Sequence, residues 1–258
     1  SMFTPAFELG DRVSPYLAGT KPVRWAAIHY AERARDLYAV QPKEAWARVL
    51  YPMYGAYTAL LRSKRPVGVV TDSQLEQGLL EGYKLLFLPA PIGLTECMLD
   101  AIDAFEADGG VVLKQQPGWR WQAEEDDAAR ATRAFLDVVA EKAPLAPVEV
   151  NGGPAKMHAV AHEKPGQMTV ALANDFAWVH TGQRIPKPRV KAQPEEPPLP
   201  EPCRGVTVLL RTSQTPAEAF DAVSGKALEW NRHADGLAIA VPDFDSMAVI
   251  VIQYGADF

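Results

Sequence analysis

The chain is short of cysteine, of basic excess and of long apolar runs, and each shortage excludes a class of function. Cys97 and Cys203 are its two cysteines and show no CxxC spacing, so neither a disulfide framework nor a thiolate zinc site is written into it. Lys and Arg total 26 against 32 Asp and Glu, a formal charge of −6. That balance argues against a general nucleic-acid partner, which needs a basic stripe to displace counterions from phosphates. No apolar run approaches the roughly 20 residues of a membrane span, so no membrane partner is expected. The N-terminus lacks the basic, apolar and small-residue succession of a signal peptide. Ser1 ahead of Met2 has the look of a cleavage scar, which leaves the compartment unread. Also missing is a Gly-rich phosphate loop after the first predicted strand, where AERARD places charged side chains. No cofactor is expected.

What the 258 residues do contain is ample apolar material: 48% hydrophobic against 22% charged. That is enough for a sizeable core, in a length comfortable for two domains. The organising stretch is Pro66 to Lys114. Val67–Val70, Leu85–Leu88 and Val111–Leu113 are short apolar runs bounded by Pro, Gly and charge, the pattern of strands buried on both faces of a parallel sheet. Between the last two, Thr95–Asp108 reads as a helix. Thr95 is its N-cap, Leu94 and Leu99 form a hydrophobic staple, and Met98, Leu99, Ile102 and Phe105 make its apolar stripe. Gly109-Gly110 ends it. The fold class is α/β.

Before this stretch, residues 1–21 read as a lead-in wrapping the first domain, Val23–Tyr30 as the first strand, and AERARDLYA as a short helix or loop. Glu44–Arg62 is a long helix that Pro52 should kink. Asp126–Ala140 is a further helix. After Ala143 the pattern changes. Past the Gly152-Gly153-Pro154 turn, β-type runs at Met157–His162, Met168–Ala173, Val206–Arg211, Leu237–Val241 and Met247–Gln253 predict a small antiparallel β-sandwich over residues 155–258. Ile185–Pro202 carries seven prolines and reads as an extended strap, a connecting loop or an SH3-type ligand.

At VRWAAIHYAERARDLY, AYTALLRSKRPVGVVTD and LLEGYKLLFLPAPIGLTECMLDAIDAFEADGGVVL, the chain resembles the β-galactosidase trimerisation domain. This is the class I glutamine-amidotransferase-like module that follows the catalytic barrel in family 42 and related glycoside hydrolases. The most specific part is L-x-x-Y-K-L-L-F-L-P, then a helix, then G-G-V-V; the resemblance covers about residues 22–140. It implies a flavodoxin-like, three-layer domain with a mostly parallel sheet over residues 22–143, followed by the sandwich. It also implies a structural role: oligomerisation, or support of a catalytic domain N-terminal to this chain. Expected partners are therefore that domain and further copies of the chain in a homo-oligomer.

Chemistry has few places to reside. An amidotransferase nucleophile sits on a strand-to-helix elbow, whereas Cys97 lies in LTECMLD, in the first turn of a helix, with no Gly-x-Cys-x-Gly and no matching histidine. It is the sole catalytic candidate, with a semi-buried structural thiol as the plain alternative. The C-terminal strand ends, where open α/β sheets bind ligands, carry His29, Tyr30, Glu32, Arg33, Asp72, Gln116, Trp119 and Trp121. This rim fits an interface or a small-molecule site, and the two tryptophans, with Phe176 and Trp178, could also stack on carbohydrate. Glu124-Glu125-Asp126-Asp127 reads as a solvated helix start, since bunched carboxylates cannot flank a sugar ring. His158 and His162 share one strand face too far apart to hold a metal without a third ligand.

Overall fold

The computed structural model describes residues 4–121, 125–174, 201–233 and 235–255. The Phe176 and Trp178 pair, Glu124 and the strap up to residue 200 lie outside these residues, as do the side chains of Glu125 and Asp126. The chain is mixed α/β, with one parallel four-stranded sheet and two antiparallel sheets. In order it runs α1 (Thr4–Leu17), β1 (Lys21–Pro22), β2 (Ala26–Tyr30), α2 (Glu32–Leu37) and α3 (Pro42–Ala45). A π turn (Trp46–Leu50) leads into α4 (Tyr51–Arg62), then β3 (Val67–Thr71), α5 (Asp72–Glu76), β4 (Leu85–Leu88), α6 (Glu96–Ala107), β5 (Val111–Lys114) and α7 (Glu125–Lys142). The β-rich part follows: β6 (Val148–Asn151), β7 (Met157–Lys164), β8 (Gln167–Asn174), β9 (Val206–Leu210), β10 (Pro216–Asp221), β11 (Lys226–Ala227), β12 (Trp230–His233), β13 (Gly236–Val241) and β14 (Met247–Tyr254).

Two compact units result, Pro22–Glu149 and Ser1–Lys21 with Val150–Phe258. In the first, strands β3-β2-β4-β5 lie side by side, all parallel. The alternation of β4 explains the layering. Leu85 and Phe87 enter a cluster with Trp25, Ile28, Leu60 and Phe135, while Leu86 and Leu88 enter another with Val70, Leu75, Met98 and Ile102. Both faces are thus covered by helices, as the unbroken LLFL run requires. Thr95 caps α6 through the Met98 N–H, and Thr71 caps α5 through the Gln74 N–H. The expected staple differs: Leu99 is half exposed, and the buried stripe of α6 is Met98, Ile102 and Phe105.

Pro52 does not produce the expected simple kink. The helical path continues, with the Tyr51 N–H bonded to the Trp46 carbonyl five residues back. The extra residue places Pro52 at the start of α4, where its missing N–H costs least. It also turns Tyr51 and Tyr54 beneath Trp46, with ring centroids 5.4 and 6.3 Å from the indole, and leaves all three aromatics exposed.

In the second unit all five expected strands form, joined by β6, β10, β11 and β12 in sheets ordered β1-β7-β8-β14-β10-β11 and β12-β13-β9-β6. The lead-in residues 4–17 form a helix whose Leu9, Val13, Tyr16 and Leu17 pack on Ala171, Phe220, Val249 and Val251, in the same unit as the β-rich strands.

Gly55, inside α4, is the informative glycine. A Cβ there would lie 2.2 Å from the Trp121 ring. Gly55→Ala raises helix propensity yet is predicted to destabilise the α/β unit by about 1–3 kcal/mol through overpacking. Urea unfolding followed by tryptophan fluorescence measures this; a more stable variant would contradict the packing.

Candidate functional site

The C-terminal ends of β2, β3, β4 and β5 gather most of the singled-out residues, but in two different roles. The first group is a latch. His29, fully buried on β2, directs Nε2 at Asp72 Oδ1, 2.7 Å away at the start of α5. A carboxylate can only accept, so the hydrogen is assigned to Nε2. Asp72 Oδ2 accepts from the Arg33 backbone N–H at 2.7 Å, which ties the start of α2 to α5. Arg33 in turn donates from Nη2 to Glu76 Oε1 at 2.7 Å, and Thr95 Oγ1 donates to the same oxygen at 3.1 Å. Glu32 adds a nearby negative charge. Tyr30 accepts from Arg35, whose guanidinium lies over its ring.

The latch is arranged for structure rather than for turnover. His29 Nδ1 is buried with no hydrogen-bond partner among the described residues, and the ring has no exposed surface through which a substrate could reach it. Burial lowers the His29 pKa below its ordinary 6.5, against the opposing pull of Asp72 and Glu32.

The second group lines an open cleft of about 620 Å³. Tyr38, from the segment after α2, forms one part of it, and Ala47 and Arg48 from the π turn, with Pro52 from α4, another. Pro89–Ile92 follow β4, and Gln115–Pro117, Trp119 and Arg120 follow β5. In the order β3-β2-β4-β5 the chain reverses direction between β2 and β4, which is where such sheets leave a crevice. Arg48 pairs with Glu44 at 2.6 Å and lies over Tyr38, while Arg120 is exposed and makes no ion pair with a described residue. Gln115 holds the floor in shape: its Nε2 donates to the carbonyls of Gln116 and Trp119, and its Oε1 accepts from the Trp121 indole N–H at 2.9 Å. Among the described residues lining this cleft there is no carboxylate, imidazole or thiol.

Trp119 and Trp121 depart from the expected rim. Each is 8% exposed, and both pack edge-to-face on Phe135 inside the α/β core. Their area stabilises the fold, and only Trp119 also borders the cleft. Gln116 is exposed and lines it. Cys97 is exposed in the first turn of α6 and hydrogen-bonds to no histidine among the described residues. Asp127 pairs with Arg130 in α7. His162 meets Thr20 at 3.3 Å, and no group of three metal-ligating side chains occurs among the described residues.

Tyr38 and Arg48 were missed from sequence. Pro52 inside an otherwise helical pattern was the available signal, because an accommodated proline marks an irregular turn and such turns favour functional surfaces.

Comparison with known proteins gives a consistent setting. No family model matches the chain, and no curated protein matches it in sequence. Solved structures do match. The likeness is to glycoside hydrolases. An α-L-fucosidase isoenzyme 2 from Paenibacillus thiaminolyticus superposes at TM-score 0.67 with 13% identity, over 97% of this chain and 51% of that one. A GH42 β-galactosidase from G. stearothermophilus gives 0.54 and 12%, over 98% and 44%. A rhamnosidase from a Novosphingobium species gives 0.52 and 13%, over 98% and 24%. At these identities the likeness is one of fold, and the chain spans about half or less of the solved chains it resembles.

The latch has a pH signature. With the folded His29 pKa lowered, the unfolded chain takes up this proton first as the solution is acidified. The stability is full above about pH 6.5 and is lost below it. His29→Gln is predicted to flatten that acid-side loss, whatever it does to stability at neutral pH. Urea midpoints measured at successive pH values test this; equal slopes for the two proteins would contradict it.

Proposed function

We propose that the chain is a non-catalytic accessory region of a glycoside hydrolase. In this reading a flavodoxin-like, glutamine-amidotransferase-like domain of the trimerisation type precedes a C-terminal β-sandwich, and the pair supports a catalytic domain outside these residues. The observation that carries it is coverage: an alignment through nearly the whole chain accounts for only about half of the fucosidase and less of the galactosidase and rhamnosidase. The parallel order β3-β2-β4-β5 supports the flavodoxin-like assignment.

The chemistry of the surfaces agrees with an accessory role. Sugar hydrolysis uses two carboxyl groups across a ring, about 5–10 Å apart. The strand-end cleft offers none among the described residues, and Asp72 and Glu76 are both engaged with Arg33. The exposed Trp46, Tyr51 and Tyr54 group supplies apolar area of the kind buried in domain contacts, in place of the tryptophans now found in the core.

A free-standing amidotransferase-like hydrolase is the rival, and Cys97 would be its nucleophile. The chain incubated alone with aryl α-L-fucoside, β-galactoside and α-L-rhamnoside is predicted to release no phenol above background, and iodoacetamide is predicted to label Cys97 no faster than a free small thiol at neutral pH. Cys203 is a poor internal reference because it is fully buried. Turnover that survives repurification, or rapid labelling of Cys97, would overturn the accessory assignment.

A further inference from the structure

We propose that the strand-end cleft binds an acidic saccharide, a sugar chain bearing carboxylates, and holds it without cleaving it. The choice of a saccharide rests on the accessory-region reading; the charge and the mode of binding rest on the cleft itself.

Three properties of the lining select the ligand. Its accessible apolar surface comes from the half-buried Tyr38 ring and the exposed Pro91 and Pro117, while Pro52 and Trp119 line it as buried residues; the Tyr38 ring suits the C–H face of a pyranose. Among the described residues its charged groups are Arg48, which is paired with Glu44, and Arg120. Arg48 is already held by Glu44 and Tyr38, which fixes its direction; Arg120 is the cation without an ion-pair partner among the described residues. A guanidinium engages a carboxylate through two parallel hydrogen bonds, a geometry that a neutral hydroxyl cannot match.

The third property is the exposed Gln116 amide, whose oxygen is an acceptor suited to sugar hydroxyls.

Other ligand classes fit less well. Phosphate recognition at such strand ends depends on backbone N–H groups, but Pro89 and Pro91 after β4 and Pro117 after β5 remove donors from the two loops that would cradle it. A metal or a cationic ligand would need carboxylates, and none lines the cleft among the described residues. The same lack of an acid–base pair is why the bound sugar is retained unhydrolysed.

The test is calorimetric titration of the intact 258-residue chain with a digalacturonic and a trigalacturonic acid, against the matching neutral galactose oligomers and a nucleoside triphosphate. Saturable binding of the acidic probes is expected, with the neutral sugars at least about tenfold weaker. Arg120→Ala should weaken the acidic probe by about tenfold to a hundredfold while leaving the unfolding midpoint unchanged, as its side chain is exposed. Tyr38→Ala should weaken acidic and neutral probes alike. Absence of binding at millimolar acidic probe, equal affinity for acidic and neutral sugars, tighter binding of the triphosphate, or indifference to Arg120→Ala would each overturn the proposal. Sugar binding by a chain whose native product carries no catalytic domain would overturn the accessory reading and leave the cleft standing. A large hydrolase whose isolated chain ignores these sugars would overturn the cleft alone.

Discussion

Burial of the LLFL strand on both faces is the constraint on which the α/β unit depends. Leu85, Leu86, Phe87 and Leu88 are all fully buried, and they alternate between two clusters on opposite sides of the sheet. Helices cover both sides, as a sheet of parallel strands with crossover connections provides. The connections then leave the sheet at its C-terminal edge. The His29–Asp72 latch and the cleft lined by Arg48 and Arg120 both stand at that edge.

Two devices keep that edge in shape, and they differ in kind. The latch is electrostatic and buried: one carboxylate, Asp72, accepts from the His29 imidazole and from the Arg33 amide, so β2, α2 and α5 share one anchor. Its removal would leave a buried polar partner unsatisfied, which costs more than the bond itself contributes. The other device is aromatic. Phe135 receives Phe87, Trp119 and Trp121 around it, and Gln115 holds Trp121 by its indole N–H. The loop after β5 is therefore fixed by its own side chains, so that Gln116 and Arg120 are presented from a rigid base.

Much of the fold was legible because it follows from local periodicity. The buried strands, the Thr95 cap, the helix over the last part of the α/β unit and the five β-type runs after Gly153 all appear where apolar spacing and turn residues place them. What was not legible depends on distant partners. Nothing local to residues 4–17 says that their apolar face meets Val249 and Val251 rather than the neighbouring strand β2. Trp119 and Trp121, flanked by Pro117, Gly118 and Arg120, look like surface residues until Gly55 in α4 is seen to leave room for the Trp121 ring. Pro52 announced an irregularity, but its form as a π turn depends on helix packing that sequence spacing does not encode. The site was half legible for the same reason: the strand ends were found by topology, while Tyr38 and Arg48 reach the cleft from a connection and a π turn.

The central claim is that these two units serve a catalytic domain that they do not contain. Intact-mass spectrometry of the native gene product from its source cells tests that most directly. The account predicts a mass tens of kilodaltons above the 28.2 kDa of this chain, with the excess holding a pair of carboxylates whose substitution abolishes glycoside hydrolysis. A native mass equal to that of this chain would contradict it, and whatever chemistry the protein performs would then have to be found at the strand-end cleft or at Cys97.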